Sequence, residues 1–123
     1  MNRFANVLQM LIRLLFVLQL LLGLCFWFGK ALGLVPLHMG LGMVFVLLLW
    51  ILAIVGFMAR VGPALPVLLL VWGLVVAWLG MVQRTLLVGD QHWVIRVAHL
   101  LVVMAAMPLA ERLATSIKAP RAS

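Results

Sequence analysis

Four long apolar runs are the feature that most constrains how this chain can fold. Each run is long enough to cross about 30 Å of hydrocarbon, which takes roughly 20 helical residues. A backbone in lipid must satisfy its own hydrogen bonds, and these runs are too continuous for barrel strands, so we expect helices. The predicted spans cover residues 7–28, 35–59, 65–83 and 91–114. We predict an all-α fold: a polytopic membrane protein whose single domain (1–123) is an up-down bundle of four transmembrane helices in the lipid bilayer.

The composition agrees with a membrane protein and argues against a nucleic-acid partner. Hydrophobic residues make up 68% of the chain and charged residues only 9%, too little polar surface to cover a soluble domain of this size. The net charge of +7 would suggest nucleic-acid binding in a soluble protein. Here the basic residues flank the spans and form no basic face interleaved with aromatic side chains, so we expect no nucleic-acid partner.

The distribution of basic residues predicts the topology. An even number of spans places both termini and the 60–64 turn on one side of the membrane. The basic residues of that side are Arg3, Arg13, Arg60, Arg112, Lys118 and Arg121. The other side receives only Lys30, Arg84 and Arg96. The positive-inside rule therefore predicts cytoplasmic N- and C-termini in an integral protein of a bacterial plasma (inner) membrane.

The surroundings of the remaining polar residues can also be predicted. We expect Arg13 to snorkel to the near interface in preference to pairing inside the bundle. Gln9 and Gln19 should bond to a neighbouring helix. Asp90 should be the N-cap of the fourth span, and the tail from Glu111 onwards should fray into water.

Two tryptophans and a small-residue face predict how the helices meet. Trp50 and Trp72 fall near the middle of their spans, so we expect each indole to pack into the bundle and donate its N–H to an acceptor. Small residues share one face of span three and suit close helix contact: Gly73, Ala77 and Gly80.

The histidines converge on one region. His38 begins span two, and His92 and His99 share one face of span four with Arg96. Both spans enter from the non-cytoplasmic side. At about 1.5 Å per residue, His99 lies about 10 Å deeper than His92, and Met43 reaches a comparable depth on span two. This placement predicts an outer-leaflet site between spans two and four.

The residue types at this site favour a flat cofactor. A zinc ion shared by His92 and His99 is disfavoured, because their spacing separates the rings by two turns and carboxylates are almost absent. Haem takes axial imidazole or thioether donors from facing helices, and its propionates need Arg or Lys. His38 and His99 are the preferred metal ligands; His38 with His92, or His99 with Met43, stay open. The residues expected around the propionates or the cofactor edge are His92, Arg96 and Arg84.

The chain resembles the small four-helix membrane b-type cytochromes. The resemblance covers the four-span layout, the start His38-Met39-Gly40-Leu41-Gly42 and the two histidines of span four. It implies haem b and a role as an oxidoreductase or electron carrier. From the outer position of the site we also expect a redox partner on the outer face. Many members hold two haems between histidines at both membrane levels. This chain has no histidine on the inner side, so at most one outer haem carries over.

Two other functions stay open. The chain could be a cofactor-free helix-packing scaffold or an accessory subunit of a membrane complex. It could also bind quinone, because a His–Arg pair can hydrogen-bond a carbonyl head group. No nucleophile–base pair or paired carboxylates occur, so a hydrolase is not expected. The small-residue faces are compatible with a homo-oligomer, a larger complex or packing within one chain.

Overall fold

The chain forms four helices. In a computed structural model, which describes residues 2–120, α1 is Asn2–Trp27, α2 is Val35–Met58, α3 is Ala64–Val82 and α4 is His92–Lys118. A short 3₁₀ turn, Leu32–Leu34, precedes α2, and no strand occurs in the described range. Each of the four helices is long and apolar enough to cross a membrane. The predicted all-helical, four-helix fold is confirmed. Arg121, which the topology prediction counted, lies outside the described residues.

Short connections make sequential helices antiparallel neighbours. Pro36 occupies the first turn of α2, where its fixed φ suits a helix start. Gly62 tightens the α2–α3 turn with a φ of 96°, a left-handed conformation that glycine adopts without strain. Consecutive helices contact one another, and α1 also contacts α4. The helices α2 and α4 meet across the bundle, whereas α1 and α3 make no contact within residues 2–120.

The bundle has two distinct ends. We call the end where α1 and α3 begin and α2 and α4 finish the terminal end, and the opposite end the cleft end. The main buried cluster lies in the terminal half, around Ile12, Leu49, Leu52, Leu69 and Leu113, each at most 1% exposed. Large apolar side chains cover much of the bundle's outer surface, as suits contact with lipid.

Two indoles join helices near the middle of the bundle. Trp50 Nε1 donates to the carbonyl oxygen of Leu70 at 3.1 Å, and Trp72 Nε1 donates to that of Val102 at 2.7 Å. The expectation that both indoles pack inward and find an acceptor is confirmed. Gly73 makes the first contact possible, because a Cβ at this position would lie 3.0 Å from Trp50 Cδ1. Part of the small-residue face of span three is thus used for packing within the chain.

The fourth helix is longer than the predicted span. The expectation that the chain frays from Glu111 onwards is wrong, because α4 continues to Lys118. Leu113, Ala114 and Ile117 are buried in the main apolar cluster. These contacts stabilise the two turns that composition alone assigned to solvent.

The polar residues at the terminal end bond to one another. Arg13 does not snorkel as expected; its Nε and Nη2 donate to the two carboxylate oxygens of Glu111 at 2.6 and 2.8 Å. Gln9 also donates to Glu111, and Lys118 Nζ donates to Gln9 Oε1 at 2.5 Å and Asn6 Oδ1 at 2.9 Å. Both side chains are partly exposed, so the guanidinium and the carboxylate can pair with little desolvation cost. This network joins α1 to α4.

Asp90 is not the N-cap of α4. The residue before the helix is Gln91, and no side chain caps the first turn. Backbone groups act there instead: His92 N–H donates to the Gly89 carbonyl at 3.1 Å, and Val94 N–H to that of Gln91 at 3.0 Å. The turn leading into α4 is closed by the backbone, so the carboxylate is not needed as a cap.

Candidate functional site

A cleft of about 680 Å³ opens in the cleft-end half of the bundle and is lined by residues of all four helices. Its volume falls within the range of about 300–1,000 Å³ that is usual for small-molecule and cofactor pockets. The six residues that the sequence singled out all line this cleft: His38, Met43, Arg84, His92, Arg96 and His99. Because α2 and α4 meet across the bundle, residues far apart in sequence come together here.

His38 projects from the first turn of α2. Its ring meets Phe26 edge to face, with centroids 5.2 Å apart and planes at 86°. A Cβ on Gly23 would make only ordinary contact with the ring, at 3.8 Å from Cε1. His38 Nδ1 is buried and has no hydrogen-bond partner among residues 2–120. The ring therefore packs against apolar groups, and its Nδ1 is not satisfied by the described part of the chain.

His99 enters the cleft from α4. A Cβ on Gly80 of α3 would lie 3.7 Å from its Cε1, so a small residue stands beside this ring as well. His99 Nδ1 is also buried without a partner in the described part of the chain. Two imidazoles from facing helices thus line one cleft, each with a buried Nδ1 that has no partner among residues 2–120.

His92 differs from the other two histidines. Its Nδ1 lies 3.2 Å from the carbonyl oxygen of Leu86 in the preceding connection. One ring nitrogen therefore has a protein partner, and the contact fixes His92 against the turn that leads into α4. Of the three histidines that line the cleft, only His38 and His99 carry a buried, unpartnered nitrogen.

Two arginines form a positive rim. Arg84 and Arg96 both line the cleft and are exposed to solvent. Arg84 Nη2 contacts Met39 Sδ at 2.9 Å, a weak acceptor for a guanidinium. Neither arginine forms an ion pair with a carboxylate among residues 2–120. The rim can therefore bind the anionic end of a ligand whose apolar part lies deeper in the cleft.

The remaining wall leaves room beside the histidines. Met43 lines the cleft from α2 and is 42% exposed, so its thioether is accessible. A Cβ on Gly40 would meet no atom within 4 Å. This glycine also lines the cleft and borders open space there, in contrast to the tightly packed Gly73.

Gln19 is a cleft residue that the sequence reasoning did not place in the site. It was expected only to bond to a neighbouring helix, which it does: its Nε2 donates to the His38 carbonyl at 2.8 Å. It is 9% exposed, and its Oε1 is buried without a partner among residues 2–120. The signal available was an amide deep in an apolar run, a feature that often marks a functional site in membrane helices.

The few possible metal ligands in the cleft suit a cofactor that itself supplies most of the ligands of its metal ion. No cluster of three or more His, Cys, Asp or Glu within residues 2–120 could hold a metal ion. Two imidazoles from facing helices do match the needs of a porphyrin iron, which takes only two axial donors from protein. The unused imidazole nitrogens, the adjacent open space and the cationic rim therefore fit a haem. They also fit a quinone head group, which accepts hydrogen bonds.

Comparison with known proteins returned no family model, no curated protein and no solved structure that matches this chain. The resemblance to small b-type cytochromes stays a prediction.

Proposed function

We propose that this protein binds one haem b between α2 and α4 and acts as a membrane electron carrier. The observation that carries the proposal is the shared position of His38 and His99. Both line one cleft from helices that meet across the bundle, and each has a buried ring nitrogen without a protein partner. Two imidazoles from facing helices are the axial donors that a haem iron takes from protein, and each ring would ligate through its other nitrogen, Nε2.

The other cleft residues have distinct roles in this proposal. Neutral imidazole is the form that ligates metal, through a single ring nitrogen. Phe26 would limit rotation of the His38 ring by its edge-to-face contact. Arg84 and Arg96 would bind the propionates, because carboxylates form strong charge-assisted hydrogen bonds with guanidinium groups. A bound haem supplies a one-electron redox couple.

The orientation of the site follows from charge. We propose that the terminal end, which carries most basic residues, faces the cytoplasm of a bacterial plasma membrane. The cleft then opens toward the outer leaflet, where a redox partner would meet the protein. With its three histidines all at the cleft end, the chain offers a site for one haem, so we do not propose transfer across the membrane through two haems.

Quinone binding is the second candidate, and the buried Nδ1 atoms favour it. A neutral ring carries one proton, and a proton on a buried nitrogen without an acceptor is unfavourable. The alternative tautomer places N–H on Nε2, where it could donate to a quinone carbonyl. In this tautomer Nε2 carries the proton, which would have to move to Nδ1 before Nε2 could ligate iron. This difference makes the two ligands distinguishable by experiment.

Absorption spectroscopy tests the proposal directly. The protein, purified from membranes in mild detergent and titrated with haem b, should develop a Soret band that saturates at one haem per chain. His99→Ala and His38→Ala should abolish the saturable band, since each removes an axial donor. His92→Ala is the matched control and should retain it, because this ring already bonds to Leu86.

Two results would contradict the haem proposal. One is a wild-type protein that stays colourless and iron-free during the titration. The other is a Soret band that survives both His38→Ala and His99→Ala. Quinone extracted at one molecule per colourless chain, and lost in the same two variants, would support the second candidate. A colourless protein without quinone would favour a cofactor-free scaffold or accessory subunit.

A further inference from the structure

Gln19 lies where α1 meets the start of α2. Its side chain is nine-tenths buried and lines the cleft beside His38. Its Nε2 donates to the His38 main-chain carbonyl at 2.8 Å. Gly42 allows this approach, because a Cβ there would stand 3.0 Å from Nε2. The amide is thus held between two positions of α2.

This contact fixes which way the amide points. The His38 carbonyl oxygen can only accept a hydrogen bond, so the nitrogen of the Gln19 amide must face it. The oxygen, Oε1, must then point the other way. It is buried there and has no donor among residues 2–120. An unpaired buried acceptor destabilises the protein, and such acceptors are rare in native structures.

His38 has the complementary need. If Nε2 ligates iron, the ring proton sits on Nδ1, and metal-ligating histidines almost always donate that proton to an acceptor. His38 Nδ1 is buried without an acceptor in the described part of the chain. An unpaired acceptor on Gln19 and an unpaired nitrogen on His38 therefore belong to two residues already joined by a hydrogen bond.

We propose that Gln19 Oε1 accepts a hydrogen bond from His38 Nδ1–H when His38 ligates the haem. Gln19 is then a positioning residue: one end of its amide holds the His38 backbone and the other sets the tautomer and plane of the ring. The inference rests on the proposed haem function. The proposed bond would give both unpaired atoms a partner. The bond makes the imidazole a stronger electron donor, which lowers the midpoint potential of the bound haem.

Redox titration of haem-loaded variants tests this role. Gln19→Leu should still bind haem but shift the midpoint potential to a more positive value, because the ligand loses its acceptor. Gln19→Glu keeps an acceptor oxygen, and its ionised form should give a potential below that of wild type, because a carboxylate is a stronger acceptor than an amide. Gln9→Leu changes the same residue type on the same helix, in the network at the terminal end, and should leave the potential unchanged.

The outcomes separate this inference from the function on which it rests. Haem bound by wild type and Gln19→Leu with equal midpoint potentials would overturn the role of Gln19 and leave haem binding intact. A colourless wild type would overturn both. If Gln19→Leu does not fold, the pH dependence of the Gln19→Glu potential carries the test: a potential that does not fall as the carboxyl ionises would overturn the inference, because an anionic acceptor makes the imidazole a stronger donor.

Discussion

The two ends of the bundle treat their polar residues in opposite ways. At the terminal end, the hydrogen bonds and ion pair of α1 and α4 link polar side chains to one another: Asn6, Gln9, Arg13, Glu111 and Lys118. At the cleft end, Gln19, His38 and His99 each keep a buried atom without a partner within residues 2–120. No other described residue carries such an atom.

This difference separates polar residues that join the helices from polar residues that are candidates for binding a ligand. A polar group in an apolar helix costs free energy unless it finds a partner. The terminal-end residues find theirs within the chain, so helix association accounts for them. The cleft-end residues do not, and they surround open space where the terminal half has its apolar core. The unpaired atoms and the open space together mark the cleft end as the candidate ligand site.

Two glycines of α2 give the largest expected contrast in stability. Gly56 lies in the terminal half, where a Cβ would stand 2.9 Å from Leu113 Cδ1 and 3.0 Å from Pro66 Cγ. Gly56→Ala should therefore destabilise the protein by about 1–3 kcal/mol through overpacking. Gly40→Ala meets no atom within 4 Å and should stabilise the ligand-free helix by up to about 1 kcal/mol. Denaturation of both variants in detergent measures the contrast.

The same two glycine variants also test whether the cleft wall borders open space. Gly40→Ala places a methyl group at the cleft wall and should weaken haem binding even though the ligand-free fold gains stability. Equal destabilisation by both substitutions would show that the cleft end is packed as tightly as the terminal end.

Removing the carboxylate of Glu111 should have a smaller effect. Glu111→Gln leaves Arg13 without its ion-pair partner and weakens the link between α1 and α4. The two side chains are 33% and 51% exposed, so screening limits the loss, and we expect a modest fall in the thermal midpoint. Arg112→Gln changes an exposed charge at the adjacent position and should not move it. A midpoint that falls equally in both variants would exclude a specific role for the pair.

The hydrophobic pattern could predict the architecture. The four apolar runs predicted four helices, because length and hydrophobicity alone decide whether a helix can span lipid. Trp50 and Trp72 were also predictable, since a buried indole N–H needs an acceptor whatever its identity. Convergence of His38 and His99 on one cleft followed from assigning alternate directions to the spans.

Contacts between distant residues could not be predicted. The Arg13–Glu111 pair joins positions 98 residues apart, and no local pattern reports that α1 meets α4 at this level. The burial that extends α4 to Lys118 has the same origin. The sequence did not place Gln19 in the site, because its side chain bonds to the main-chain carbonyl of His38 on another helix.

Exchanging the cleft histidines for leucine should have the smallest effect on stability. It tests most directly whether the polar residues of the cleft end, unlike those of the terminal end, are dispensable for the fold. In the ligand-free protein, His38→Leu or His99→Leu removes an unpartnered polar group and should leave stability unchanged or raise it by up to about 1 kcal/mol. His92→Leu breaks the contact with Leu86 and should cost about 0.6 kcal/mol, a typical value for a hydrogen bond within a membrane bundle. Thermal melts of the ligand-free proteins measure all three. A loss of about 2 kcal/mol at His38 or His99 would mean that these rings serve the fold, as the terminal-end residues do. A neutral or stabilising exchange combined with loss of the Soret band would mean that the protein retains these imidazoles for their ligand.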